Sequence, residues 1–259
     1  MSNGMATRGE VEVLPTAGAL AGAAAERVVT AAARAIEADG RFVIALSGGS
    51  TPRATFQLLA REPAVSRIQW SHVHVVWGDE RCVPPTNAES NYRMARETLL
   101  DHVPVPAANI HRILGEDDPA AAAASYEREL RGLLRTPEGM PSRESGRRID
   151  LALQGLGDNG HTASIFPHSR AIDEHMRWVM AEHVDATPPW RVTLTAPVLN
   201  AAASVVFIVS GAGKAAVLKD VIDGPMRPRD LPAQLIAPVA GELHWLVDAA
   251  AAAELGASS

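Results

Sequence analysis

The feature of this sequence that most limits its fold is the alternation of short apolar runs with segments of helical periodicity. The run Phe42–Leu46 is apolar throughout, which is typical of a strand buried on both faces of a sheet. Further strands are predicted at 73–77, 151–153, 205–209 and 243–247, and helices at about 17–38, 53–60, 91–100, 120–134 and 214–222. Strands that alternate with helices indicate an α/β fold with a largely parallel sheet flanked by helices.

The length of 259 residues suits either one large domain or two small ones. A candidate linker is the polar segment 136–148, which is rich in proline and glycine and is apolar only at Met140. Because the strand patterns on its two sides are alike, we interpret this segment as a long surface loop within a single domain that spans 1–259.

Composition and charge argue against several classes of protein. The single cysteine, Cys82, leaves no intrachain disulfide and no cysteine-rich zinc site, and no HExxH pattern occurs. We therefore expect no metal site, and one free thiol fits a reducing cytoplasm. The net charge of −6 argues against binding of nucleic acid, which would require a basic face.

The segment 192–213 carries no charged residue and is long enough to raise the question of a membrane span. It contains Pro197, Asn200, several hydroxyl side chains and two glycines, a composition typical of strand, turn and strand in a buried core. We therefore expect no membrane segment.

The segment Ser47-Gly48-Gly49-Ser50-Thr51 lies between a predicted strand and a predicted helix. Glycines there let backbone N–H groups approach an anion, the helix N-terminus adds partial positive charge, and the hydroxyls can donate as well. A tight turn in which a Ser or Thr caps the helix explains the same residues equally well. The segment is thus a candidate phosphate site, and it matches neither the nucleotide P-loop nor the dinucleotide motif.

Asp79, Glu80 and Arg81 follow the predicted strand 73–77, at the edge where open α/β sheets bind their ligands. Carboxylates can transfer a proton or position a hydroxyl, and an arginine can hold a phosphate through two hydrogen bonds. A solvated ion-pair cluster is the alternative. We interpret Cys82 as a small filler, since no partner that would activate a thiol can be assigned to it.

The segment 155–164, GLGDNGHTAS, is the most informative one. It places His161 among three glycines and several polar side chains directly after an apolar strand. Such a histidine can be neutral at pH 7, take a proton from water and return it to a leaving group. Nearby hydroxyls and backbone N–H groups can stabilise an oxyanion. The alternative is a loop histidine that is simply bonded to backbone.

Two further cations stand next to predicted strands. Lys214 is one of only two lysines and follows a glycine-containing strand end, which makes it a candidate phosphate ligand, although a lone lysine is usually a solvated surface residue. Arg191 precedes the predicted strand 192–195 and is a third candidate cation beside Arg81 and Lys214. The remaining histidines are interpreted as structural, because none has metal-ligand spacing.

Taken together, these segments resemble the 6-phosphogluconolactonase family, within the wider superfamily of sugar-phosphate isomerases and lactonases. The matching blocks are LSGGSTP (46–52), WGDERCVPPTNAESNYRMARETLL (77–100), LGDNGHTASIFP (156–167), RVTLTAPVLNAA (191–202), FIVSGAGKA (207–215) and PAQLI (232–236). They extend over most of the chain in family order, and their combination is far more specific than any one block.

The resemblance implies a Rossmann-like sheet with a smaller α/β portion, and hydrolysis of 6-phospho-glucono-1,5-lactone in the oxidative pentose phosphate pathway without a cofactor. Carried over by motif, the resemblance implies that His161 is the general base, and that the 47–51 loop, Arg81, Arg191 and Lys214 surround the phosphate. Many family members have Asp directly before the Gly-His pair, whereas this chain has Asn159 there and Asp158 one place earlier. Both residues are therefore candidates for tuning His161.

Two alternatives stay open at this point. An isomerase or deaminase of the same superfamily would use Asp79 as a base that shuttles a proton between carbons. A sugar-phosphate-binding regulator would keep the pocket without the chemistry. The expected partner is a small phosphosugar lactone, with no nucleic acid and no membrane, and the expected assembly is a monomer or a small homo-oligomer.

Overall fold

The computed structural model describes residues 8–136, 138–141, 147–185 and 188–256. Its strands are β1 (Glu10–Leu14), β2 (Phe42–Leu46), β3 (Val73–Trp77), β4 (Asp79–Arg81), β5 (Leu151–Gln154), β6 (Val179–His183), β7 (Trp190–Leu194), β8 (Ser204–Val209) and β9 (Glu242–Asp248). Its α-helices are α1 (Ala17–Asp39), α2 (Ser50–Leu59), α3 (Ala64–Arg67), α4 (Asn91–Thr98), α5 (Pro119–Leu133), α6 (Ala196–Asn200) and α7 (Ala215–Ile222). Short 3₁₀ helices occur at Trp70–His72, Leu100–His102, Ala107–Asn109, Arg170–Asp173, Ala212–Lys214 and Pro232–Leu235.

The larger sheet has six strands in the order β1-β9-β8-β5-β2-β3, and every neighbouring pair is parallel. The five strands predicted from apolar runs all belong to it, so the expectation of an α/β fold with a largely parallel sheet is confirmed. Only the edge strand β1 escaped prediction, because Glu10 and Glu12 interrupt its apolar residues. Since all six strands run the same way, the loops after β2, β3, β5 and β8 meet at one edge.

The smaller sheet is antiparallel and has the order β4-β7-β6. It corrects two predictions. Asp79–Arg81 is a strand rather than a loop at a strand end, and Arg191 lies inside β7 rather than before it. Gly78 is the branch point between the sheets, because its N–H donates to Leu46 O (2.9 Å) and its carbonyl accepts from Leu194 N (2.8 Å).

Helix α5 joins the two sheets. The buried Tyr126 hydroxyl accepts from Trp77 N (2.7 Å) and donates to Trp77 O (3.0 Å), so it satisfies the exposed edge of β3. One turn on, the Arg131 guanidinium stacks over the Trp178 ring at 4.4 Å, just before β6. A continuous apolar core includes residues of both sheets and the helices around them.

The uncharged segment 192–213 folds as strand, short helix and strand, because α6 occupies the place of the predicted turn. Within the described part of the chain, no helix is both long and apolar enough to cross a membrane. Of the predicted loop 136–148, residues 137 and 142–146 lie outside the described residues, and the rest is neither helix nor strand.

Candidate active site

The segments that follow β2, β5 and β8 at the carboxyl edge of the larger sheet carry most of the predicted site residues, and β4 and β7 carry the rest. The strands β8, β5, β2 and β3 are consecutive in the sheet, and β9 and β1 lie on the far side of β8. Hydrogen bonds link Asp79 of β4 to the His161 loop and to α4, and an ion pair links the His161 loop to Lys214, so residues far apart in sequence form one group. The sequence predicted a site where the strands of an open α/β sheet end, whereas it did not predict the contacts within that site.

The loop after β2 presents its backbone at the start of α2. Gly49 has a φ of 111°, a conformation that L side chains rarely adopt, and it precedes the helix. Ser50 and Thr51 already belong to the first turn of α2, which corrects their placement in the loop. The buried Ser47 hydroxyl has no hydrogen-bond partner in the described residues. The segment therefore offers a helix N-terminus and an unused hydroxyl to an anion.

The adjacent carboxylates Asp79 and Glu80 have different surroundings. Glu80 is almost fully buried, and it accepts from the backbone N–H groups of Asn91 (2.7 Å) and Tyr92 (2.8 Å) at the start of α4. Burial raises the pKa of Glu80, and these hydrogen bonds oppose that rise. Because its acceptor sites are occupied by capping bonds, Glu80 is a structural residue.

Asp79 points the other way, toward the His161 loop. Its Oδ2 accepts from Ser164 Oγ at 2.7 Å, and its Oδ1 accepts from Asn91 Nδ2 at 3.2 Å. Ser164 in turn is held by a bond from its N–H to Thr193 Oγ1 in β7 (3.1 Å). Donors on both oxygens fix the orientation of the Asp79 carboxyl group.

Arg81 and Arg191 are cross-strand neighbours in the smaller sheet. Arg81 donates to Glu89 O at 2.8 Å, and Arg191 donates to Pro188 O. Burial lowers the pKa of Arg191, and the charge of Arg81 lowers it further. Arg81 also pairs with the exposed Glu89 carboxylate at 3.4 Å, so the ion pairs of the described residues neutralise only one of these two positive charges. An anionic ligand would neutralise the other.

The His161 side chain is fixed by Asn159 and Phe166. Asn159 Oδ1 lies 3.3 Å from His161 N and 2.6 Å from His161 Nδ1. Because a backbone N–H can only donate, this Asn159 atom is the oxygen, and Nδ1 must carry the proton that faces it. The neutral ring therefore keeps its lone pair on Nε2, which has no protein partner among the described residues.

The surroundings of the His161 ring favour its neutral form. Its centroid lies 4.1 Å from that of Phe166, with the rings nearly parallel. Burial lowers the pKa of His161; Asp79 opposes this shift, and Lys214 adds to it. A neutral imidazole with a free Nε2 is the state that a general base requires.

Asp158 does not contact His161. Its exposed carboxylate forms an ion pair with Lys214 Nζ, which holds the pKa of Asp158 below its usual range. Asn159, not Asp158, therefore occupies the position next to the imidazole. Lys214 lies in the 3₁₀ turn Ala212–Lys214 after β8, and the pair brings it to the His161 loop.

Sequence reasoning missed Ser164 and Asn91, the two residues that hold Asp79. Both lie inside the motif blocks, three residues after His161 and at the start of α4 respectively, and only their membership of those blocks pointed to them.

No group of three or more His, Cys, Asp or Glu residues that could hold a metal ion occurs in the ranges that the structure describes. Burial raises the pKa of Cys82 to about 11, which leaves its thiol protonated and unreactive.

Comparisons with known proteins agree on one family. The family model for glucosamine-6-phosphate isomerases/6-phosphogluconolactonase matches residues 15–245. A 6-phosphogluconolactonase of Nostoc sp. is 42% identical over 247 residues, which cover 95% of this chain and 98% of that protein. A 6-phosphogluconolactonase of Mycobacterium tuberculosis is 36% identical over 253 residues, with 95% and 98% covered.

The likeness extends to three dimensions. The solved structure of 6-phosphogluconolactonase from Trypanosoma cruzi superposes with a TM-score of 0.83 at 28% identity. The match covers 98% of this chain and 99% of that one, so both sheets and the loops between them are included.

Proposed function

This chain belongs to the family of glucosamine-6-phosphate isomerases and 6-phosphogluconolactonases, and we propose that it hydrolyses 6-phospho-glucono-1,5-lactone to 6-phosphogluconate. The family that the motifs predicted is thus confirmed. Full-length relatives named 6-phosphogluconolactonase support the lactonase activity within that family. The observation that carries the mechanism is the His161 ring, whose Nδ1–H faces Asn159 and whose Nε2 has no partner in the part of the chain that the structure describes.

The reaction begins when His161 Nε2 takes a proton from water as the water oxygen attacks the lactone carbonyl. The tetrahedral oxyanion then collapses, the bond between the carbonyl carbon and the ring oxygen breaks, and that oxygen takes the proton from His161. The imidazolium that exists between these steps is stabilised by Asp79, whose electrostatic effect raises the pKa of His161. A general base of this kind contributes about 10²–10⁴-fold.

The phosphate is held, in this proposal, by Arg81, Arg191, Lys214 and the loop 47–51. The two guanidiniums leave positive charge that protein groups only partly neutralise, and Lys214 pairs with an exposed carboxylate that a phosphate can displace. The start of α2 and the unused Ser47 hydroxyl supply neutral donors.

The free thiol of Cys82 agrees with a reducing compartment, and we propose that the reaction takes place in the cytoplasm.

The rival isomerase and deaminase reactions need Asp79 as a mobile base. Both Asp79 oxygens accept hydrogen bonds, from Ser164 and Asn91, so the carboxyl group is held in one orientation, which disfavours its movement between two carbon atoms. Purified protein should release acid from 6-phosphogluconolactone well above the spontaneous rate and leave glucosamine 6-phosphate unchanged. Release of ammonia and a ketose phosphate from the amino sugar would overturn the assignment.

Lys214→Ala is expected to raise KM for the phosphorylated lactone roughly 10- to 150-fold, because a charge-assisted hydrogen bond contributes about 1.5–3 kcal/mol. Hydrolysis of the unphosphorylated glucono-1,5-lactone should change little. The matched control is Lys219→Ala, which removes the other, exposed lysine on α7. Steady-state kinetics with both lactones test this, and an equal loss on both would show that Lys214 does not bind the phosphate.

Asn159→Asp is expected to move the acid limb of the kcat/KM profile to higher pH while activity is retained. A carboxylate bonded to Nδ1–H favours the imidazolium, so the pKa of His161 rises and the base is lost at a higher pH as the solution is acidified. The control is Asp158→Asn, which removes a more distant charge that also raises this pKa, and it should give a smaller shift to lower pH. Coincident acid limbs for all three proteins would show that neither position tunes His161.

A further inference from the structure

Asn91, the first residue of α4, is buried and contacts Asp79 through its side chain. Its Nδ2 donates to Asp79 O at 3.0 Å and to Asp79 Oδ1 at 3.2 Å. Its backbone N–H donates to Glu80 Oε1 at 2.7 Å, so the residue is held from two directions. With 4% of its surface exposed, the Asn91 side chain has little freedom to turn away from Asp79.

The oxygen of the same Asn91 amide lies against the loop 47–51. A Cβ built on Gly48 would come within 2.0 Å of Asn91 Oδ1 and 2.7 Å of its Cγ, far inside any real contact. The two glycines of the loop are thus needed for different reasons. Gly49 supplies a left-handed backbone conformation, whereas Gly48 has an ordinary φ and supplies only space for Asn91.

We propose that Asn91 is a positioning residue that couples the loop 47–51 to Asp79 through one buried amide. Any displacement of the loop at Gly48 pushes Asn91 Oδ1, and the rigid amide carries that movement to the donor that orients Asp79. The loop thereby acts on the reacting end of the site as well as on the phosphate. This inference rests on the proposed lactonase mechanism, in which Asp79 stabilises the His161 imidazolium.

The coupling predicts that Gly48→Ala reproduces Asn91→Ala. The new methyl group can fit only if Asn91 rotates and gives up its bonds to Asp79. Each variant should therefore lower kcat by about 10- to 150-fold, the range expected for a hydrogen bond to a charged group. The double variant should be no worse than either single variant, because the three atoms nearest to the new methyl group all belong to the Asn91 amide, which Asn91→Ala removes.

The substrate without a phosphate separates this coupling from a role in phosphate binding alone. Gly48→Ala should slow hydrolysis of glucono-1,5-lactone by the same factor as that of the phosphorylated substrate. Both single variants should also move the acid limb of kcat/KM to lower pH, because a displaced Asp79 no longer raises the pKa of His161. A merely structural role would leave the position of that limb unchanged.

The experiment compares wild type, Gly48→Ala, Asn91→Ala, the double variant and Asn91→Asp on both lactones, with thermal unfolding to verify folding. Asn91→Asp keeps the side-chain shape but faces Asp79 with a carboxylate, and it should lose at least as much activity as Asn91→Ala. The matched control is Gly22→Ala in α1, where an added Cβ meets nothing within 4 Å and activity should be unchanged.

Two results would overturn the coupling. One is a double variant whose loss equals the product of the two single losses, and the other is a Gly48→Ala enzyme that is impaired only on the phosphorylated lactone. Failure of the proposed function looks different, because the wild-type protein itself would then show no lactone hydrolysis.

Discussion

Replacement of His161 by Ala is expected to lower kcat by about 10²–10⁴-fold. The variant loses the Nε2 lone pair that activates water, and no other group of the described site offers a neutral base fixed by a neighbouring acceptor. Binding of the product 6-phosphogluconate should be largely retained, since the phosphate ligands lie on other segments. The loss therefore falls on kcat rather than on KM.

The measurement is the initial rate of acid release after subtraction of spontaneous hydrolysis, together with product affinity by calorimetry. His161→Gln is a useful second variant, because its amide fills part of the space of the imidazole without a basic nitrogen. A His161→Ala enzyme with near wild-type kcat would reject the general base and direct attention to Asp79.

Gly157→Ala is expected to approach the loss of His161→Ala although it changes no functional group. A Cβ at Gly157 would lie 2.0 Å from His161 Nδ1 and 2.1 Å from Cε1, and the ring atoms cannot yield while they stack on Phe166. The ring must move, which breaks the Nδ1–H bond to Asn159 and misdirects Nε2. Displacement of a catalytic group by about 1 Å can cost roughly 10²-fold.

The matched control for this steric effect is Gly155→Ala in the same loop, where an added Cβ meets nothing within 4 Å. Its loss should be far smaller than that of Gly157→Ala. The double variant Gly157→Ala/His161→Ala should be no slower than His161→Ala, because the methyl group acts only through the ring. Equal losses for Gly155→Ala and Gly157→Ala would show that the loop, rather than the imidazole, is being disturbed.

Helices and strands with a clear hydrophobic pattern over several residues could be predicted, whereas strands with a weak pattern could not. The strand Phe42–Leu46 is buried at every position, so its sequence is apolar at every position. The edge strand β1 alternates acidic and apolar residues over only five positions, and β4 has three residues with no apolar one among them. Their pairing depends on a neighbouring strand that is remote in sequence, so local pattern carries little information about it.

Within the site, the different roles of Asp79 and Glu80 could likewise not be predicted from the sequence. Adjacent residues of a strand point to opposite faces, so Glu80 accepts from backbone N–H groups at the start of α4, whereas Asp79 accepts from the side chains of Asn91 and Ser164. Sequence alone could not assign the faces, because β4 was not recognised as a strand. The Asp158–Lys214 pair was likewise undetectable, since its two members are separated by more than fifty residues.

What the sequence by itself determined about this protein is the kind of fold, the edge of the sheet that carries chemistry, and the family. These follow from hydrophobic periodicity and from sequence motifs, which are local properties of the chain. Only the tertiary structure decided which atoms meet: Nδ1 of His161 with Asn159, Asp79 with Ser164, and Asn91 with Gly48. Such contacts depend on distances and directions between loops that separate strands bring together, and angstrom-scale geometry of this kind leaves no signature in residue order.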